Sequence, residues 1–185
     1  NYTTVVDGYN VKNTYAPGET SVSVTKKWED SNNQDGKRPG SIQVQLYADG
    51  TVQGTPVELN ESNNWTYTWS KLPAKSNGNS IDYTVKEVNE ENGKVSFDGS
   101  EYTVAVTGDA ETGYVITNSH VPETVDIEGS KAWDDAGNEG ARPKSIKISL
   151  YADGTLKENK SIEADKDGNW SWKFTGLPKY KAGQK

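Results

Sequence analysis

The chain repeats itself with a period of about 105 residues, and this repeat limits the folds that the sequence can adopt. Trp28 of one copy returns as Trp133 of the next, and the hexapeptide LYADGT of residues 46–51 returns unchanged at residues 150–155. The start of the chain matches the end of the complete copy, since residues 9–14 align with residues 114–119. A repeat of this length predicts a series of similar small domains with separate cores.

We place the domain boundaries where the copies begin and end. Residues 1–16 are predicted to finish a preceding repeat, residues 17–120 to form a complete repeat, and residues 121–185 to begin a following repeat. Each junction is only a few residues long, so we expect semi-rigid contacts between neighbouring repeats of the same protein. The incomplete repeats also predict open sheet edges, through which two molecules could associate head to tail.

Apolar and polar residues alternate with a period of two along most of the chain, as is typical of strands. Each of these segments is short, and Gly, Asn and Asp residues separate them. The pattern therefore predicts an all-β fold of tandem antiparallel β-sandwich repeats, with about seven strands in each. The predicted strand faces in the complete repeat are Val22/Val24/Lys26/Trp28, Ile42/Val44/Leu46, Trp65/Tyr67/Trp69, Tyr83/Val85/Glu87, Tyr102/Val104/Val106 and Tyr114/Ile116/Asn118.

Composition excludes several classes of function. The chain contains no Cys, which excludes disulfides and thiolate chemistry, and its net charge of −7 disfavours nucleic acid as a partner. No apolar stretch is long enough to span a membrane. We expect no metal and no cofactor, because the acidic segment 30–36 lacks the spacing of a calcium-binding loop and is interpreted as a solvated turn.

Three polar residues interrupt the predicted inward faces, namely Lys26, Glu87 and Asn118. Unpaired charges are costly to bury, so we expect these side chains to meet in one core. Burial lowers the pKa of a lysine and raises the pKa of a glutamate, so Lys26 could act as a neutral amine that attacks the Asn118 side chain while Glu87 transfers protons. The alternation fits a simple Lys26–Glu87 salt bridge equally well.

Five segments of the complete repeat form recognisable motifs, namely VTKKW (residues 24–28), NQDGKRP (33–39), LNESNNW (59–65), YTVKE (83–87) and ITN (116–118). Together they resemble the Cna B-type repeats of Gram-positive surface adhesins and pilins. The resemblance implies an inverse immunoglobulin or prealbumin-like sandwich, and an extracellular, cell-wall-attached protein in which the repeat is a structural stalk or spacer. It also implies an autocatalytic isopeptide bond between Lys26 and Asn118, with Glu87 as the catalytic proton shuttle in a reaction that occurs once.

The repeat assigns equivalent roles to two further residues. Asn13 aligns with Asn118, and Lys131 aligns with Lys26, so they are the predicted acceptor and nucleophile of the preceding and following repeats. Their partners lie outside this chain, and cross-linking can be complete only in residues 17–120. The alternative function is a binding module for a host glycan or an extracellular-matrix protein, although the repeats contain no long or unusual loop.

Overall fold

The computed structural model describes residues 2–185, and strands are its main secondary structure. Within those residues it contains sixteen strands, two short 3-10 helices (Glu61–Asn63 and Glu139–Ala141) and no α-helix, so no helix there is long and apolar enough to cross a membrane. The strands are β1 (Tyr2–Asp7), β2 (Asn10–Tyr15), β3 (Glu19–Glu29), β4 (Ser41–Ala48), β5 (Thr51–Asn60), β6 (Thr66–Pro73), β7 (Lys75–Ser76), β8 (Asn79–Ser80), β9 (Tyr83–Glu87), β10 (Lys94–Phe97), β11 (Ser100–Asp109), β12 (Gly113–Ser119), β13 (Thr124–Lys131), β14 (Ile146–Ala152), β15 (Thr155–Ile162) and β16 (Trp170–Pro178).

The chain divides into two compact units. The first ends at Pro122 and also takes in Lys181–Gln184, and the second comprises Glu123–Tyr180 with Lys185.

The first unit contains a β-sandwich, which confirms the predicted fold class. One sheet has five strands in the order β10-β11-β12-β3-β6, and the facing sheet has three in the order β5-β4-β9. Apolar side chains of both sheets form one core, because the alternation places every second residue on the inner face. The buried members of this core are Val22, Val24, Ile42, Val44, Leu46, Leu59, Leu72, Tyr83, Val85 and Ile116.

The two sheets contain eight strands, and two of these have no counterpart in the predicted strand set. β5 is exposed along most of its length and carries no clear apolar alternation, whereas β10 alternates, with Val95 buried, but is only four residues long. β5 is an edge strand, and its polar character is typical of edges that face solvent.

One strand pairing differs from the antiparallel arrangement that the sequence predicted. β3 and β12, which are the first and last strands of residues 17–120, are parallel neighbours, and every other pairing within residues 2–185 is antiparallel. Alternation determines which face a side chain occupies and does not determine strand direction, so the sequence pattern contained no signal for this pair. In the parallel register Lys26 lies opposite Ile116, and Trp28 lies opposite Asn118.

The hairpin of β1 and β2 has the same register as the hairpin of β11 and β12. All side chains of this first hairpin are exposed. The pair Thr4↔Asn13 of the first hairpin corresponds to Val104↔Asn118 of the second, and Val6↔Val11 corresponds to Val106↔Ile116.

The second unit repeats the first half of the sandwich. β13 pairs with β16, and β14 pairs with β15, as β3 pairs with β6 and β4 with β5. Its buried residues are Ile162, Trp170 and Phe174, whereas Ile127 is exposed although its equivalent, Val22, is buried. The reason is that residues 121–185 contain no segment equivalent to β9–β12, the strands that complete the sandwich of the first unit.

Candidate functional site

The interior of the sandwich contains a lysine that is nearly inaccessible to solvent. Lys26 lies on β3, follows Val22 and Val24 on the inner face, and is 4% exposed. Its Nζ atom donates to the backbone oxygen of Lys27 at 3.1 Å and to that of Ile116 at 3.4 Å. A neutral amine has two N–H groups, so these two contacts satisfy both of them and leave the nitrogen lone pair available.

Glu87 reaches the same point from the facing sheet. It is the last residue of β9 and is 1% exposed. Its Oε1 atom accepts a hydrogen bond of 3.0 Å from Asn118 Nδ2, and its Oε2 atom lies 3.8 Å from Lys26 Nζ. Glu87 is therefore placed between the amine and the carboxamide, in contact with both.

Asn118 completes the cluster from β12, where it is fully buried. Because Ile116 lies opposite Lys26 in the parallel pair, Asn118 is two positions farther along β12 and points into the same core. Two oxygens of the cluster, Glu87 Oε2 and Asn118 Oδ1, have no hydrogen-bond partner among residues 2–185. Buried polar atoms without partners are rare in folded proteins, so two such atoms in one cluster of three side chains mark this site as unusual.

Burial alters the protonation of both ionisable groups. Desolvation lowers the pKa of Lys26 to about 8, against the opposing charges of Glu87 and Asp30. Desolvation likewise raises the pKa of Glu87, against the charge of Lys26 and the hydrogen bond from Asn118. With a pKa of about 8, the fraction of free amine at pH 7 increases from roughly 1 in 3,000 to roughly 1 in 10.

A small cavity of about 240 Å³ opens beside the cluster. Glu87 lines it together with Ser41, Gln43, Glu58 and Phe97.

The structure places the two other predicted residues at the surface. Lys131 is exposed on β13, where its Nζ atom donates to the backbone oxygen of Ala132. Asn13 is exposed on β2, where its Oδ1 atom accepts from Thr4 Oγ1 at 2.7 Å.

The loop that follows β3 differs from its predicted role as a solvated turn. Asp30 is 2% exposed and binds Arg38 through two hydrogen bonds of 2.9 and 2.5 Å. Neither residue was assigned a role from the sequence, although both recur in the second copy, as Asp135 and Arg142, and this recurrence is the signal that points to them. Among residues 2–185, no group of three or more His, Asp or Glu side chains is arranged to hold a metal ion.

The pattern of the Cna protein B-type domain family matches residues 22–119 and again residues 127–185, which together make up most of the chain. The chain belongs to the Cna protein B-type domain family. The family resemblance expected from the lysine, glutamate and asparagine motifs is thereby confirmed.

Individual relatives extend this result. All 185 residues of this B-type chain are 44% identical to part of the collagen adhesin of Staphylococcus aureus, and they span only 15% of that protein. The fold matches the crystal structure of two B repeat units of the collagen binding protein of S. aureus with a TM-score of 0.80 and 42% identity, over all of this chain and 47% of that one. A single B repeat unit of the same collagen binding surface protein is 45% identical over 65% of this chain and 60% of its own length, with a TM-score of 0.49. The match to two B repeat units supports the expected arrangement of tandem repeats.

Proposed function

We propose that this B-type chain is part of the stalk of a cell-wall-attached surface adhesin, and that an isopeptide bond between Lys26 and Asn118 stabilises residues 17–120. The observation that carries the proposal is the placement of Lys26, Glu87 and Asn118 in one buried cluster, which joins the first strand of the repeat to its last. Such a bond also supplies the covalent constraint that a small, cysteine-free secreted domain otherwise lacks.

The proposed reaction needs only the three side chains. The neutral amine of Lys26 attacks the side-chain carbonyl carbon of Asn118, and a C–N bond forms. Glu87, protonated beforehand, donates its proton to the departing Asn118 nitrogen and recovers a proton from Lys26 Nζ. The C–N bond of the carboxamide breaks, ammonia leaves, and Glu87 ends in its starting state. The reaction consumes its own nucleophile, so it occurs once per domain.

The position of the bond suits a load-bearing spacer. A force applied to the two ends of residues 17–120 pulls the beginning of β3 and the end of β12 in opposite directions. Because β3 and β12 are parallel neighbours, this force shears their hydrogen-bond ladder along its length. A covalent bond between Lys26 and Asn118 would transmit the force directly from β3 to β12, so the residues between them would bear none of it.

The neighbouring segments fit the same proposal. The register of β1 with β2 supports residues 1–16 as the end of a preceding repeat, and the bulge shared by β13 and β3 supports residues 121–185 as the start of a following one. In those repeats Asn13 and Lys131 would be the cross-linking residues. Head-to-tail association through these segments stays a prediction, as does the attachment to the cell wall.

The bond is tested directly by the mass of the intact protein. We expect the folded wild-type chain to be lighter than its sequence mass by one ammonia, and peptides containing Lys26 and Asn118 to remain joined after digestion. The variant Glu87→Gln keeps nearly the same shape but cannot transfer the proton, so it is expected to fold and to retain the full mass. An unshifted mass in well-folded wild-type protein would exclude the bond, and a full loss of ammonia in Glu87→Gln would remove Glu87 from the mechanism.

Without the bond, the stability of the domain is expected to depend on pH through Lys26. Asn118→Leu has no carbonyl group to attack and leaves Lys26 as a buried amine with a pKa of about 8, against an ordinary value of 10.5. Between these two values the unfolded chain binds the proton and the folded chain does not, so the free energy of unfolding rises with pH across that window. In the cross-linked wild type Lys26 is an amide and contributes no such rise. Denaturation of both proteins from pH 7 to pH 10.5 checks this, and two parallel curves would contradict it.

A further inference from the structure

The side chains of Lys26 and Arg38 lie over the same half-buried indole next to the reactive cluster. Lys26 Nζ is 4.2 Å from the ring centroid of Trp28, and Arg38 Cζ is 5.5 Å from it. The indole is held in place by edge-on contacts, with centroid distances of 5.4 to 5.9 Å, to the rings of Trp65, Phe97 and Tyr102. The ring is therefore a fixed surface against which the lysine side chain lies.

Arg38 is itself fixed by a buried carboxylate. Asp30 accepts from Arg38 Nε at 2.9 Å and from Nη2 at 2.5 Å, and the backbone N–H of Asn33 donates to the same side chain at 2.9 Å. The loop is closed further by the bond of 2.9 Å from the backbone N–H of Arg38 to Asn33 Oδ1. Paired hydrogen bonds between a guanidinium and a carboxylate fix orientation as well as distance.

The same arrangement recurs in the second unit. There Lys131 Nζ is 4.6 Å and Arg142 Cζ 5.9 Å from the ring of Trp133, and Arg142 binds Asp135 with hydrogen bonds of 2.7 and 3.1 Å. Lys131 is nevertheless exposed, and residues 121–185 contain no counterpart of Glu87 or Asn118. The arrangement thus needs only one strand and its following loop, and it is present where the partners of the lysine are absent.

We infer that Asp30 and Arg38 form a positioning pair for the cross-linking reaction, in which Arg38 lies against the Trp28 ring and offsets part of the charge of Asp30, so that Lys26 lies beside Trp28 as an uncharged amine. The inference rests on the proposed function, and it assigns a role to residues that do not touch the reacting atoms. Arg38 and Asp30 act through Trp28 and through the electric field at Lys26.

The charges around Lys26 support this role. Burial is the largest influence on the pKa of Lys26 and lowers it; the charges of Glu87 and Asp30 then raise it, and the charge of Arg38 lowers it again. An Asp30 carboxylate without Arg38 would stabilise the ammonium form of Lys26 and so reduce the fraction of Lys26 that is present as the nucleophilic free amine. With Arg38 bound, its positive charge offsets part of the effect of Asp30 on Lys26.

The test measures the titration of Lys26 by NMR of its side chain in the Asn118→Leu background, where the amine persists whether or not the wild type cross-links. Arg38→Gln is expected to raise the Lys26 midpoint by roughly one pH unit, a tenfold loss of free amine at neutral pH. Asp30→Asn is expected to lower the midpoint, and the double variant to return it close to the starting value. Arg142→Gln makes the matched change in the other repeat and should leave Lys26 unaffected.

The opposite signs separate an electrostatic role from a structural one. If the pair only held the loop closed, either substitution would open it and move the midpoint of Lys26 in the same direction. Shifts of equal sign, no shift in folded Arg38→Gln, or an equal shift in Arg142→Gln would each overturn the inference. Should Arg38→Gln not fold, Asp30→Asn still tests it, because a midpoint that rises or stays unchanged contradicts the assignment.

A kinetic readout completes the test in chains that retain Asn118. Arg38→Gln is expected to lose ammonia about tenfold more slowly than the wild type at pH 7, and the difference should vanish at a pH above both midpoints. A slowing that persists at every pH would overturn the inference. If the wild type itself never lost ammonia, the proposed function would fail, and the titration of Lys26 in Asn118→Leu would still decide the role of the pair.

Discussion

When the wild-type repeat of residues 17–120 is pulled from its two ends, we expect the residues between Lys26 and Asn118 not to extend at any force that leaves covalent bonds intact. The bond would connect β3 directly to β12, so the intervening residues carry no load. In Glu87→Gln the same pull has only hydrogen bonds and packing to break. About 90 residues would then be released, and at roughly 3.3–3.6 Å each the molecule should lengthen by about 300 Å.

Single-molecule force spectroscopy on the full chain measures this difference. The same handles on wild type and Glu87→Gln make the flanking segments a common background, because residues 1–16 and 121–185 are identical in both. The additional step of about 300 Å should occur only in the variant. The same step in wild-type molecules whose mass shows the loss of ammonia would contradict the proposed position of the bond.

Loss of the bond is also expected to lower the free energy of unfolding by about 4–5 kcal/mol, by analogy with a disulfide that closes a loop of about 90 residues. The stabilisation arises mainly because the cross-link restricts the unfolded chain. Denaturation by urea should therefore give Glu87→Gln a lower midpoint and a steeper dependence on urea, since an unconstrained chain exposes more surface when it unfolds.

A double-mutant cycle separates the bond from the local effect of the substitution. Glu87→Gln in the Asn118→Leu background changes the same packing, apart from the hydrogen bond between Asn118 and Glu87, and neither of those proteins can cross-link. We expect the loss of stability there to be smaller than in the wild-type background by about the loop contribution of 4–5 kcal/mol. Equal losses in both backgrounds would assign the whole effect to packing and hydrogen bonding.

Several features of the fold could be predicted from the sequence because they depend on local pattern. The recurrence of Trp28 as Trp133 and of residues 46–51 as residues 150–155 indicated repeated domains, and alternation indicated strands. The same alternation predicts that three polar residues face the core, since each interrupts an apolar face: Lys26, Glu87 and Asn118. The edge strand β5 was not predicted, because its exposed residues follow no apolar alternation.

The sequence by itself determined the repeated all-β architecture and the inward orientation of the three polar residues, since side-chain alternation requires only neighbouring residues in the chain. The tertiary structure alone decided that β3 and β12 run parallel and side by side, and that β9 faces them from the opposite sheet. It also decided that Asp30 is buried against Arg38 and not solvated. These features depend on contacts between segments far apart in sequence, and no local pattern specifies strand direction or the partner of a buried charge.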